Sequence, residues 1–209
     1  MQYTRTPHFP GSQRDGARCR AAWLVAVALV VVACACALAV LPCKAYAKSY
    51  TMPQVDIQAQ LETDGTLHVV EQRTFDFDGS FSAVWWTLNL LPTNAEFTVN
   101  GVRMMSVDGS NDTEGSMSAM PEVPFELKWR EEGGPGKDSY SVDSPKNTVY
   151  VFFGSQPKRV VVELDYTITN MAQVYDDVSE VYWQYLGSAW AVPSENVMAT
   201  LQLPLPQGV

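Results

Sequence analysis

Glu71 and Arg73 stand two residues apart in the run Leu67-His68-Val69-Val70-Glu71-Gln72-Arg73-Thr74-Phe75. On an extended chain their side chains share one face with Leu67, Val69 and Phe75. Opposite charges on a face meant for burial must pair with each other or reach an edge. The reading favoured here is a structural ion pair; the chemical alternative is a carboxylate held for acid–base work. A second set is aromatic: Trp85, Trp86, Trp183 and Trp190. Exposed flat rings bind the faces of sugars by stacking, whereas the same rings turned inward only fill a core. Trp85 and Trp86 are adjacent, so on a strand they point to opposite sides.

Metal and nucleophilic chemistry find little support. Asp108, Asn111, Asp112 and Glu114 offer oxygen ligands to calcium. Gly109 and Asp112 fall at the wrong positions for a calcium loop, so a solvated acidic loop is expected. Asp176, Asp177 and Glu180 form a second acidic cluster of the same kind. After residue 47 the only histidine is His68, on the face opposite Leu67, where it reads as a surface residue. That excludes a multi-histidine metal site and leaves His68 as the one base available to a Ser-His arrangement. All four cysteines (Cys19, Cys34, Cys36, Cys43) precede residue 44, excluding a disulfide framework or a thiol nucleophile in the remainder. Gly133-Gly134-Pro135-Gly136 lacks the Lys-Ser/Thr end of a phosphate loop. Carboxylates are numerous enough for a two-acid hydrolase, but no pair stands out. The expectation is a binding domain without catalytic activity or cofactor. A carbohydrate- or cell-wall-binding module using exposed tryptophans is the second reading, and a carboxylate-based envelope hydrolase the third.

The elements that must position these residues follow period two. Val55, Ile57, Ala59 and Leu61 alternate with polar residues, and Thr63-Asp64-Gly65-Thr66 supplies a tight turn into a strand from Leu67 to Phe77. Phe81 to Leu91 is apolar on both faces. Asn100-Gly101, inside Phe97 to Val102, predicts a hairpin turn. Further strands are expected over Phe125–Trp129, Val149–Phe153, Val160–Thr169 and Val197–Leu203. Val174, Val178 and Val181 sit at helical spacing, so one or two helical turns are expected between Met171 and Val181. Residues 108–124 and 131–147 read as long loops. The sum is an all-β chain, an antiparallel sandwich of about eight or nine strands; a closed barrel is the alternative.

The first 47 residues read as an address. A basic stretch precedes an uncharged apolar run, Ala21 to Leu41, and Ala45 and Ala47 supply the small residues of a signal cleavage site. The run is also long enough to stay as a signal anchor. Either way residues 48–209 are expected outside the cytoplasm, as one extracytoplasmic domain. Of 14 basic and 23 acidic residues, five and one lie before residue 48, so the remainder holds nine against 22. So acidic a domain repels phosphate backbones, which excludes nucleic acid as a partner.

Three segments together resemble the N-terminal extracytoplasmic domain of the predicted-membrane-protein family named domain of unknown function 2207. They are the hairpin Asp64-Gly65-Thr66-Leu67-His68-Val69-Val70-Glu71 with Phe75 and Phe77; Tyr175-Asp176-Asp177 leading to Glu180-Val181-Tyr182-Trp183-Gln184; and Trp190 with Glu195-Asn196-Val197 and the closing Leu203-Pro204. The resemblance covers roughly Tyr50 to Pro204. It implies a β-rich ectodomain standing before transmembrane helices, and it implies no known activity. An envelope protein or a cell-wall component is the expected partner, with the membrane reached through residues 1–47 or through a part beyond Val209.

Overall fold

The computed structural model describes Trp23 and residues 48–88, 91–107, 116–155, 157–187 and 190–204. The chain divides into two compact units, Met1–Ala45 and Tyr46–Val209, and the following concerns the second. Its described residues are mostly β-strand, in several sheets. In chain order the strands are β1 (Ser49–Leu61), β2 (Leu67–Asp78), β3 (Ala83–Thr87), β4 (Phe97–Ser106), β5 (Ser118–Ala119), β6 (Ser139–Asp143), β7 (Thr148–Phe152), β8 (Arg159–Ile168), β9 (Ala172–Val174), β10 (Ser179–Val181) and β11 (Val197–Gln202). One short helix, α1 (Trp129–Glu132), and a 3-10 turn at Ser144–Lys146 complete them.

Three sheets result: a six-stranded one in the order β11-β1-β2-β8-β4-β5, a three-stranded one in the order β3-β7-β6, and the hairpin β10-β9. The expected β1–β2 hairpin is present, with Leu61 opposite Leu67. Gly65 takes φ 84° in its turn, and the Thr66 amide donates to the Asp64 carboxylate at 2.9 Å. Pro53, which has no amide hydrogen for the ladder, sits in a bulge between Thr51 and Gln54. The extra residue shifts the pleat, so Met52 and Val55 both face inward and are fully buried.

The six-stranded and three-stranded sheets contribute to one core. Leu67, Val69, Phe75 and Phe77 of β2 and Val160, Val162, Leu164 and Ile168 of β8 meet Val84 and Trp86 of β3 and Val149 and Val151 of β7. Phe75 stacks on Phe77 at 5.8 Å and takes the edge of Trp86 at 5.9 Å. Burying such rings supplies roughly 1.5–3 kcal/mol each.

Several expectations are corrected. Asn100-Gly101 makes no hairpin: β4 runs straight through, with a bulge between Val99 and Gly101. Asn100 is held by donating to Asp165 at 2.8 Å, and pairing with β8 outweighs the local turn preference. Phe125–Trp129 is no strand. Pro121 and Pro124 interrupt any ladder there, and the chain turns into α1, which Gly133 ends at φ 79°. Leu127 is exposed, while Trp129 packs edge-on against Phe152 at 5.4 Å. The supposed loop 131–147 contains β6, whose buried Ser139 and Ser141 hide it from a search for apolar alternation. Met171–Val181 is a β9–β10 hairpin, closed by the Tyr175 amide donating to Val178 at 2.8 Å. Val174 and Val178 are exposed, so a helix there would have no face to bury.

The all-antiparallel expectation is also corrected, since β11 pairs parallel to β1 from Val55–Val197 to Gln60–Gln202. Every residue of β11 is exposed, so its apolar alternation marks no buried face. Among the described residues no helix is long and apolar enough to cross a membrane. Apart from Trp23, the apolar run 21–41 and the cleavage residues Ala45 and Ala47 lie outside the described residues.

Candidate functional site

The inward parity of β2 carries Glu71 and Arg73 into the core. Both are almost wholly buried, and they form an ion pair in which Arg73 Nε and Nη2 donate to Glu71 Oε1. Carrying two charges out of water is costly unless their remaining donors and acceptors are met. Here they are met. Trp86 Nε1 donates to Glu71 Oε1 at 3.1 Å, and the Tyr166 hydroxyl of β8 lies 3.5 Å from Glu71 Oε2. Arg73 Nη1 reaches Met52 Sδ at 3.1 Å. Its guanidinium lies over the Trp190 ring, 4.8 Å from the centroid. Trp190 in turn meets Trp86 edge-on at 5.5 Å.

Trp183 joins the same neighbourhood, half-buried and 4.5 Å from Tyr185. Glu71, Arg73, Trp85, Trp86, Trp183 and Trp190 thus border one cavity of about 40 Å³. That space suits water and is too small for a sugar ring. Tyr166, also on its wall, was missed by sequence reasoning. Its place on the inward parity of the Val160–Ile168 alternation was the available signal.

Burial first, and the Glu71 carboxylate second, push the Tyr166 hydroxyl well above the ordinary tyrosine range, against the pull of Arg73. A phenol that keeps its proton longer in the folded chain contributes stability fully below its unfolded pKa of about 10, and this is lost as pH rises toward the folded value. Unfolding free energy is therefore expected to fall with pH above about 10, and Tyr166→Phe to flatten that limb. Denaturant titrations of both proteins on either side of pH 10 check it; identical slopes would contradict it.

Trp85, though it also lines that cavity, is largely in solvent. It is 56 % exposed on the outer face of the three-stranded sheet. There β3 and β7 set Ala83 against Phe152, Trp85 against Tyr150 and Thr87 against Thr148. The Trp85 and Tyr150 rings lie 6.4 Å apart at 35°, and Phe125 stacks on Tyr150 at 5.2 Å. This floor opens into a groove of about 750 Å³, with Lys48, Arg130, Glu131 and Lys146 at its rim. The volume lies in the range of about 300–1,000 Å³ usual for ligand sites. Arg130 is committed: it donates to Asp143 Oδ2 at 2.5 Å and to the Tyr150 hydroxyl at 3.2 Å, with its guanidinium 5.4 Å from the Phe125 ring centroid. Lys48, Tyr150 and Lys146 were not foreseen. An outward tyrosine between the inward Val149 and Val151 was the sequence signal for the floor.

The remaining candidates stand apart. His68 lies on the outer face of the six-stranded sheet, where its Nε2 bonds Asp165 Oδ1 at 2.8 Å. Asp108, Asp112 and Glu114 lie outside the described residues, and no cluster of potential metal ligands occurs among the described ones.

Residues 51–208 match the model of a family described as "Predicted membrane protein (DUF2207) N-terminal domain". No curated protein matches the chain. Among solved structures it is similar to one from Parabacteroides distasonis ATCC 8503 provisionally described as a protease, with 10% identity and a TM-score of 0.34. That alignment covers 74% of this chain and 29% of the other, so this chain spans less than a third of that protein's length.

Proposed function

Since the chain belongs to the family of predicted membrane proteins that carry the DUF2207 N-terminal domain, we propose that residues 48–209 form an extracytoplasmic, non-catalytic binding domain. Its partner is a component of the cell envelope. The observation that carries this reading is the open groove floored by the exposed Trp85 on Tyr150. Such a platform costs solvation in the free protein and is explained by an occupant.

The chemistry of the other sites supports binding over catalysis. Glu71 is buried and engaged by Arg73 and Trp86, as a structural ion pair is. The clefts around Glu71, Asp56 and Glu131 each hold a single carboxylate among their described lining residues, where glycoside hydrolysis requires two facing ones. No hydroxyl bonds His68 among the described residues, so its link to Asp165 is a dyad without a nucleophile.

Two measurements test the reading. Ser179→Cys places a thiol on an exposed strand, far in sequence from the four native cysteines. A membrane-impermeant maleimide is expected to label it in intact cells; labelling only after lysis would reverse the orientation. In co-sedimentation with isolated envelope material, Trp85→Ala is expected to reduce the bound fraction at least about tenfold, as loss of a central aromatic anchor does. Unchanged sedimentation removes the groove from the account.

A further inference from the structure

We infer that the groove over Trp85 takes an acidic oligosaccharide, one with carboxylates on its sugar rings. This rests on the binding reading above and names its ligand class. The first argument is charge. After residue 47 the chain holds nine basic against 22 acidic residues. Yet Lys48 and Lys146, two of those nine, border this one groove beside Arg130, whose charge Asp143 balances, against a single lining carboxylate, Glu131. A cationic rim on so acidic a domain favours an anion and is not a by-product of composition.

The second argument is which cations are free to act. Arg130 is tied to Asp143 and Tyr150 and sets the floor's shape. Lys48 and Lys146 form no ion pair among the described residues. They flank the floor from opposite ends: Lys48 lies beside Gly79, ahead of Ala83, and Lys146 stands two residues before Thr148, which pairs with Thr87. Ala83 and Thr87 are four residues apart, which is about 13 Å along a strand. Two cations anchored that far apart suit an oligomer with acid groups on separate rings.

The third argument is the floor itself. An exposed indole beside a tilted phenol offers a flat apolar surface suited to the C–H face of a pyranose.

The experiment is calorimetric titration of the full chain in detergent micelles with a short oligogalacturonate and, in parallel, with the matching neutral galactose oligomer. The acidic oligomer is expected to bind at least tenfold more tightly, and to weaken as salt is raised. Lys48→Gln and Lys146→Gln are each expected to weaken it about three- to tenfold and to reduce the salt dependence, with the neutral oligomer unaffected. Trp85→Ala is expected to abolish both. Equal affinity for the two oligomers, with the lysine variants silent and Trp85→Ala still harmful, overturns the acidic ligand and leaves the groove as a binding site. Binding that ignores Trp85, or no binding of either oligomer, overturns the saccharide. In that case the envelope co-sedimentation of Trp85→Ala decides separately whether the groove binds at all. Trp85 and both lysines are exposed, so the variants are expected to keep the parent's thermal midpoint, which the same samples verify.

Discussion

Replacing Glu71 by alanine is expected to lower the unfolding free energy by about 3–5 kcal/mol, the usual cost of stranding one member of a buried ion pair. Arg73 is 2 % exposed, and among the described residues lining its cavity Glu71 is the sole carboxylate, so its charge would be left to Met52 and the face of Trp190. Trp86 Nε1 and the Tyr166 hydroxyl would lose their acceptor in the same step. Removing both charges, with Glu71→Leu and Arg73→Met together, is expected to recover part of the loss, because an apolar pair of similar volume often replaces a buried salt bridge at little cost. Recovery stays incomplete, since the Trp86 and Tyr166 donors remain unmet at about 1–3 kcal/mol each. Urea unfolding of the parent, Glu71→Leu, Arg73→Met and the double variant in a double-mutant cycle measures this, with Glu71→Ala unfolded alongside. Additive single effects below about 1 kcal/mol would show that the pair does not organise the core.

The adjacent tryptophans give the second large effect, through contrast. Trp86→Ala is expected to cost about 3–5 kcal/mol, because it empties the contact between the two sheets where Trp86 meets Phe75 and Trp190. Trp85→Ala, one residue earlier, is expected to change stability by less than about 1 kcal/mol, since its ring is largely in solvent. The two variants thus separate the folding role of Trp86 from the binding role proposed for Trp85. Thermal or denaturant unfolding of both proteins decides it. A stable Trp86→Ala or a collapsed Trp85→Ala would mean that the strand is turned over.

What the sequence makes legible here follows from where side-chain type reports burial. β1, β2 and β8 alternate cleanly, and the structure has them side by side, with Glu71 and Arg73 on the inward parity as the alternation predicts. Adjacency alone places Trp85 and Trp86 on opposite faces, and β3 obeys. β6 is illegible because it buries serines, and a search for apolar periodicity passes over it. The Asn100-Gly101 expectation fails because a local preference of a few tenths of a kcal/mol to about one yields to long-range pairing with β8. The Val174–Val178 expectation fails because those side chains are exposed and the segment closes locally as the β9–β10 hairpin. The meeting of Glu71, Trp86, Trp183 and Trp190 at one cavity lies beyond any local pattern, because sheet topology brings them together. Lys48 and Lys146 are silent in sequence for the same reason.

The parallel pairing of β1 with β11 has a mechanical consequence. The two strands run the same way side by side, and an isolated parallel bridge between Met52 and Ser194 extends their register. Tension entering at Ser49 and leaving at Gln202 therefore pulls along the strands in opposite senses. It loads the pairs from Val55–Val197 to Gln60–Gln202 together, where a hairpin pulled from its open end would give way one rung at a time. β11 acts as a shear clasp against a pull applied between Ser49 and Gln202.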